Sequence, residues 1–286
     1  MDEHRVIARA KVNLALHVTG QLPNGMHLID SLVAFPDIGD ILVFRRSNKV
    51  SFSIEGLFGS ELLKNTKMSE NIVLRAAKLI LKSDEGVSIK LIKNLPIASG
   101  IGGGSTDAAS TIRVLSKLFN RPIPNLDKIA KLGADLPVCM FPEFQRVRGV
   151  GEIVRELPVP APIWIVLANP GVYVSTEKVF NALRSKNNTP LTDKSKFKSE
   201  NVFFEYLAKQ RNDLEAVTCR LVPEVELLLD LLKNSYDCKV SRMSGSGATC
   251  FGLYLKKDSA EKAVSQIRVA YPNYWVRMGR LFSTDS

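Results

Sequence analysis

Between residues 5 and 18 apolar and polar positions alternate, with Val12, Leu14, Leu16 and Val18 on one face and Lys11, Asn13, Ala15 and His17 on the other. A period of two predicts a half-buried strand over 5–18 that gathers Lys11, Asn13 and His17. Asn24 and Gly25 give a turn signal, and "LIDSLVAFPDIGDILVFRR" adds two strand-like runs around a Pro/Gly break, so the opening reads as β-rich. The period then lengthens. Residues 69–83 carry apolar side chains at helical spacing, with Ser69 as the cap candidate and Asn71 just inside. "GVSIKLIKNLP" is a strand again, and after a glycine-rich stretch Ala108, Ala109, Ile112, Leu115 and Leu118 form a helical stripe reaching about Phe119.

A second short helix over 126–132 ends at Gly133, and "ADLPVCMF" and "QRVRGVGEIVREL" read as strands joined by a turn. Three prolines in "LPVPAPIWIVLANPG" precede a fresh apolar strand from Ile163, which places a domain boundary between 1–158 and 159–286. The second half continues with a helix near 177–183 and a polar stretch, 184–201, expected to be a solvated, mobile connector. Helices across 202–233, the strands "CKVSRMSG" and "TCFGLYL", and a closing helix and strand follow.

Composition narrows the class. Of 286 residues 45% are hydrophobic and 24% charged, enough for a large core and unlike a disordered chain. The sequence has no apolar run of membrane-spanning length and no signal-peptide pattern at its start, so a cytoplasmic location is expected. Cys139, Cys219, Cys238 and Cys250 lie far apart, as do His4, His17 and His27; reduced thiols and no side-chain metal cluster follow. The net charge of +10 favours an anionic partner, whether nucleic acid, membrane surface or phosphorylated metabolite.

The glycine-rich stretch chooses among these. Gly100, Gly102, Gly103 and Gly104 stand between a strand and a helix, where absent Cβ atoms let backbone N–H groups approach an anion and the helix N-terminus adds donors. Such a loop is a phosphate cradle. GxxxxGK[ST] requires a lysine that this loop lacks, and the dinucleotide fingerprint requires Gly or Ala at 105 and a following acidic strand. A plain turn with Ser105 as helix cap accounts for one glycine and the serine only. Phosphoryl transfer also needs a cation and a group to orient or deprotonate the attacking hydroxyl. Lys11 is a candidate cation, although alone it reads as a solvated lysine. Asp135 is a candidate carboxylate, although alone it reads as a turn residue; Asp107, in the first helical turn, suits loop support better. "SRMSGSGATCFGLY" adds a second small-residue loop, readable equally as a tight hairpin.

Four segments in order, "AKVNLALHVTGQLPNGMHLIDS", "GGGSTDAA", "GADLPVCM" and "RVRGVGE" with "ANPGVYVSTEKVF", together with "SRMSGSGAT", resemble the GHMP kinase superfamily over nearly the whole chain. The resemblance looks closest to the branch whose alcohol substrate is 4-diphosphocytidyl-2-C-methyl-D-erythritol. It implies an α+β fold of two domains, a ribosomal-protein-S5-like α/β domain followed by a ferredoxin-like α+β domain, with ATP and Mg2+ as co-substrate and metal. Pro96, Ile97, Ala98, Ser99, Gly100, Ile101, Gly102, Gly103, Gly104, Ser105 and Thr106 would then hold the triphosphate, with Asn71 and Lys93 near the adenosine. Lys11 and Asp135 become the catalytic pair, and Asn13, Met26, His27, Thr176 and Phe180 the substrate contacts, His27 reading the cytosine and Phe180 stacking on it. No protein ligand for Mg2+ is assigned beyond Ser105 as the best candidate, and a monomer or weak homodimer is implied. Two departures stand out: Met26 replaces a tyrosine of the family pattern, and Ala98 and Ser99 replace glycines. Homoserine or mevalonate remain alternative alcohols within the superfamily. The alternative of a different class, a basic RNA-binding protein, has against it that Lys and Arg are dispersed and not interleaved with aromatics.

Overall fold

A computed structural model of the chain describes residues 3–194 and 196–282. In chain order it runs β1 (Glu3–Arg9), β2 (Val12–Gln21), β3 (His27–Ala34), β4 (Gly39–Ser47), β5 (Ser51–Glu55), α1 (Gly59–Asn65), α2 (Ile72–Lys78) and β6 (Gly86–Ile92). Then come α3 (Gly103–Leu118), α4 (Leu126–Ala130), α5 (Leu136–Cys139), β7 (Gln145–Gly149), β8 (Ile153–Glu156) and β9 (Ile163–Asn169). The chain closes with α6 (Thr176–Asn181), α7 (Glu200–Ala208), α8 (Glu215–Leu221), α9 (Pro223–Lys233), β10 (Val240–Met243), β11 (Cys250–Tyr254), α10 (Lys257–Ala270) and β12 (Trp275–Leu281).

The chain sorts into two compact units that do not follow it linearly. The first holds the described residues up to Ala10, Gly39–Ile97 and Gly102–Pro142; the second holds Lys11–Ile38, Ala98–Ile101 and the described chain from Glu143 on. In the first unit a sheet of order β1-β4-β6-β5 is covered by α3, which packs on β1, β4 and α2. The stripe read from the sequence is the buried face of α3: Ala108, Ala109, Ile112 and Leu115 are fully enclosed, at the spacing a 3.6-residue period requires. The second unit has a sheet of order β2-β3-β7-β8 and another of order β10-β11-β9-β12. The latter is antiparallel throughout, and Val166 and Ala168 of β9 share a core with Val225, Leu228 and Leu232 of α9 and Ala260, Ala263 and Ile267 of α10.

Three expectations change. The strand over 5–18 divides at Ala10 and Lys11: β1 pairs with β4 and β2 with β3, in different sheets. β2 also carries register shifts between Asn13 and Ala15 and between Val18 and Gly20, and its residues from Val12 to Val18 are buried on both faces. The polar set is therefore enclosed, with Lys11 at 7%, Asn13 at 3% and His17 at 1% exposure. "ADLPVCMF" is not a strand but contains the short helix α5, with proline in its first turn; a short apolar run carries no period of its own, and proline favours a helix start. Finally, Asn71 rather than Ser69 caps α2, its Oδ1 accepting from Val73 N at 2.9 Å.

The polar stretch 184–201 is held down across its middle. Asn188 N donates to Val18 O at 3.0 Å, Leu191 N to Asp30 Oδ2 at 3.1 Å, and Tyr206 Oη to Thr192 O at 2.8 Å. Arg146 grips Asp30 through two nitrogens at 2.8 and 2.7 Å and donates to Leu191 O at 2.9 Å. Composition reports the exposed side chains of such a strap, not the backbone groups it docks. His17 is one of its anchors. Its Nδ1 lies 2.9 Å from Thr189 O, a carbonyl that can only accept, so Nδ1 carries the proton and Nε2 accepts from Arg211 N at 3.3 Å. Burial, then Arg211, lowers the His17 pKa against the opposing pull of the Thr189 carbonyl, Asp213 and Asp30. With its folded pKa below the unfolded value of about 6.5, His17 contributes stability that is present above that value and lost as pH falls through the folded pKa. The melting temperature is therefore expected to fall more steeply from about pH 7 to about pH 5 in the native protein than in His17→Gln. Parallel pH profiles of melting would remove His17 as the cause.

Candidate active site

The glycine helix starts without a side-chain cap. Its cap position is Gly102, in the left-handed region at φ +62°, and Ser105 is already the third helical residue. Thr106 closes the first turn, its N donating to Gly102 O at 2.9 Å and its Oγ1 to Gly103 O at 2.9 Å. The first N–H groups of α3 are thus left to an incoming acceptor. The four glycines do not share one reason. At Gly103 an added Cβ would lie 3.0 Å from Lys93 Nζ and 3.4 Å from Asp40 Oδ2. At Gly100, in positive φ, it would lie 2.4 Å from the Ser244 carbonyl oxygen. At Gly104 it meets nothing nearer than Ile72 Cγ2 at 3.7 Å, so the fold itself does not require glycine there. Ala98 also takes positive φ, +48°, a conformation that disfavours its methyl. Ser99 is buried, and its carbonyl accepts from Thr249 N at 3.2 Å; Pro96 is buried and Ile97 half-buried.

In the first unit, Ile72 beside the cap residue Asn71 approaches both Gly104 and Gly133, where its Cδ1 is 3.9 Å from an added Cβ. The start of α2, the start of α3 and the turn before Asp135 therefore meet around one side chain. Asp135 is exposed at the cap position of α5. Lys93 is not on this surface. Its ammonium is enclosed, 2.5 Å from Asp40 Oδ2 and 2.8 Å from Asp107 Oδ2, while Asp40 Oδ1 accepts from Asn94 N at 2.6 Å and Leu95 N at 2.9 Å. Burial opposes the Lys93 charge, but Asp107 and Asp40 outweigh it and hold the pKa above the ordinary lysine value. Burial raises the Asp107 carboxyl, offset in part by Lys93. Lys93 thus ties β4, the end of β6 and the second turn of α3 together. Nothing in the sequence pattern singles out Asp40; "DIGD" reads as a turn.

In the second unit, the Lys11 backbone N donates to Ile101 O at 2.9 Å, which fixes β2 against the loop. Asn13 N donates to Ser244 Oγ at 3.0 Å, and Ser244 Oγ donates to Gly100 O at 2.9 Å. The small-residue loop before β11 is therefore the seat of the glycine loop, a role its spacing alone left undecided. The His27 and Phe180 rings lie with centroids 4.6 Å apart, tilted 32° to each other, and His27 Nε2 is buried with no hydrogen-bond partner. Burial, then the Lys186 charge, lowers the His27 pKa, so the imidazole is neutral near pH 7. Met26 is exposed at the hairpin tip. Thr176 is not a cap, since Ser175 caps α6; its hydroxyl lies 2.7 Å from Ser246 Oγ.

Residues 71–142 match the family described as GHMP kinases N terminal domain, and residues 203–273 that described as GHMP kinases C terminal. A 4-diphosphocytidyl-2-C-methyl-D-erythritol kinase of Cereibacter sphaeroides is 44% identical over 96% of this chain and 98% of its own length. One from Paramagnetospirillum magneticum is 40% identical over 99% and 100%. The crystal structure of a 4-(cytidine 5'-diphospho)-2C-methyl-D-erythritol kinase superposes with a TM-score of 0.78 at 31% identity, covering 98% of this chain and all of the other. A homoserine kinase from Cytophaga hutchinsonii, 18% identical over 98% of this chain and 94% of its own at a TM-score of 0.65, shares the fold. By these matches over nearly its full length, the chain belongs to the 4-diphosphocytidyl-2-C-methyl-D-erythritol kinase family of the GHMP kinases.

Proposed function

We propose that the protein transfers the γ-phosphoryl group of ATP to the 2-hydroxyl of 4-diphosphocytidyl-2-C-methyl-D-erythritol, a step of the non-mevalonate route to isoprenoid precursors, in the cytoplasm. The observation that carries the choice of alcohol is the His27–Phe180 ring pair with its unpartnered Nε2, which suits a flat base bearing polar edges and has no use with homoserine or mevalonate. Asp135 accepts or orients the proton of the attacking hydroxyl, while Lys11 supports its ionised form and the charge developing on the γ-phosphate. The uncapped N–H groups of Gly103, Gly104 and Ser105 hold phosphate oxygens. Mg2+ takes oxygen ligands; the Asp107 carboxylate, one turn into α3, faces Lys93, so Ser105 in the first turn is the side chain that fits, with ATP supplying the rest. Among the described residues no cluster of His, Cys, Asp and Glu has metal-binding geometry, and no helix is long and apolar enough to cross a membrane.

A panel assay of ADP release with 4-diphosphocytidyl-2-C-methyl-D-erythritol, homoserine and mevalonate tests this reading. Turnover with the first alone is expected; preference for either other alcohol, or salt-sensitive RNA binding without turnover, would overturn it. Gly104→Ala separates phosphate contact from folding. The added methyl has room and improves helix propensity by up to about 1 kcal/mol, so melting should hold or rise while the KM for ATP increases about tenfold, equivalent to ~1.4 kcal/mol. An unchanged KM would place the phosphates elsewhere.

A further inference from the structure

Asn13 is enclosed, and the hydrogen bonds around it decide which way its amide faces. Ser31 Oγ lies 2.7 Å from Ala15 O and 2.8 Å from Asn13 Nδ2. A backbone carbonyl only accepts, so the single Ser31 hydroxyl proton goes to Ala15 O, and Ser31 can meet Asn13 only as an acceptor. Asn13 must therefore turn its NH2 towards Ser31 and its carbonyl oxygen away. That oxygen, Oδ1, is buried and has no partner, although the residue is almost fully enclosed. Buried amide oxygens are seldom left so. Gly245 faces this oxygen without a side chain; a Cβ there would lie 3.5 Å from Oδ1, in ordinary van der Waals contact. The main chain of Asn13 is fixed independently by Ser244.

We propose that Ser31 is a positioning residue that sets the polarity of Asn13, so that the site offers an acceptor, and no donor, to a hydroxyl of the alcohol substrate. This rests on the kinase reading above for the identity of the alcohol; the orientation of the amide does not. The alcohol enters with its own O–H donating to Oδ1. A hydrogen-bond donor at that place would instead select a carbonyl or carboxylate. Ser31 touches neither substrate, and it acts only through Asn13.

In Ser31→Ala the amide loses the acceptor that orients it and is free to turn over. The KM for the alcohol is expected to rise about tenfold with the KM for ATP within twofold, and Ser31→Thr, which keeps the hydroxyl, should stay within twofold on both. A merely structural role would not move the side-chain NMR signals of Asn13 selectively. The 15N-labelled protein should show one Asn13 amide proton shifted downfield by its Ser31 bond, lost in Ser31→Ala with the melting temperature retained. If Ser31→Ala leaves the alcohol KM and the Asn13 signals as in the native protein, the proposal is overturned while the kinase reading stands. If the native protein turns over none of the panel alcohols, the kinase reading fails, and the Asn13 signals in the two proteins still decide the orientation.

Discussion

Asp135→Asn is expected to lower kcat by 10²- to 10⁴-fold, the usual contribution of a positioned acid or base, with the KM for ATP and the melting temperature close to native. The substitution keeps the size and polarity of the side chain but removes its capacity to take a proton. Its site favours a clean result. Asp135 is exposed, and its side chain does not cap α5, so the helix loses no capping bond when the charge goes. The fold in this region is carried instead by Leu136, Val138 and Cys139, all buried. A rate within a few-fold of native would remove Asp135 as the base and leave phosphoryl transfer to positioning and charge stabilisation alone, which the loose transition state of such reactions permits.

The second large effect concerns stability. Lys93→Met leaves the carboxylates of Asp40 and Asp107 enclosed without their cation, and breaking a buried ion pair from one side costs about 3–5 kcal/mol. A fall in melting temperature on the order of 10 °C follows for a chain of this size. The two acids should rank differently. Asp40 accepts from Lys93 and from the backbone of Asn94 and Leu95, so Asp40→Ala strands two N–H groups as well as an ammonium. Asp107 gives Lys93 one oxygen, and its other oxygen is buried without a partner, so Asp107→Asn should be milder. Thermal melting of the three variants checks the order; a native-like Lys93→Met would mean that the triad is weakly coupled to the fold.

The elements with a full period behind them were legible in the sequence. The stripe of α3 lies inward as its spacing implies, and the glycine stretch begins a helix with free N–H groups. What escaped was decided by packing. The alternation across 5–18 looked like one strand with a wet face because periodicity does not register a change of sheet at Ala10 or bulges that bury both faces. A lysine that reads as solvated, Lys11, is enclosed for the same reason. The glycines illustrate the limit most sharply. All four looked like one response to phosphate, yet a methyl at Gly100 is barred by the Ser244 carbonyl and one at Gly103 would crowd the Lys93 ammonium at 3.0 Å. Those neighbours are 144 and ten residues away in sequence, and no local pattern announces them.

The hydroxyl of Ser244 holds the amide of Asn13 on one side and the carbonyl of Gly100 on the other. On the proposed site, a shift of the glycine loop around ATP would reach the strand that carries Asn13 through this oxygen, alongside the Lys11 N–Ile101 O bond. Binding of the two substrates should then be thermodynamically linked: whatever ATP does to the affinity for the alcohol, the alcohol does to ATP by the same factor. Ser244→Ala should bring that factor closer to one, as the two dissociation constants measured with and without the other substrate would show.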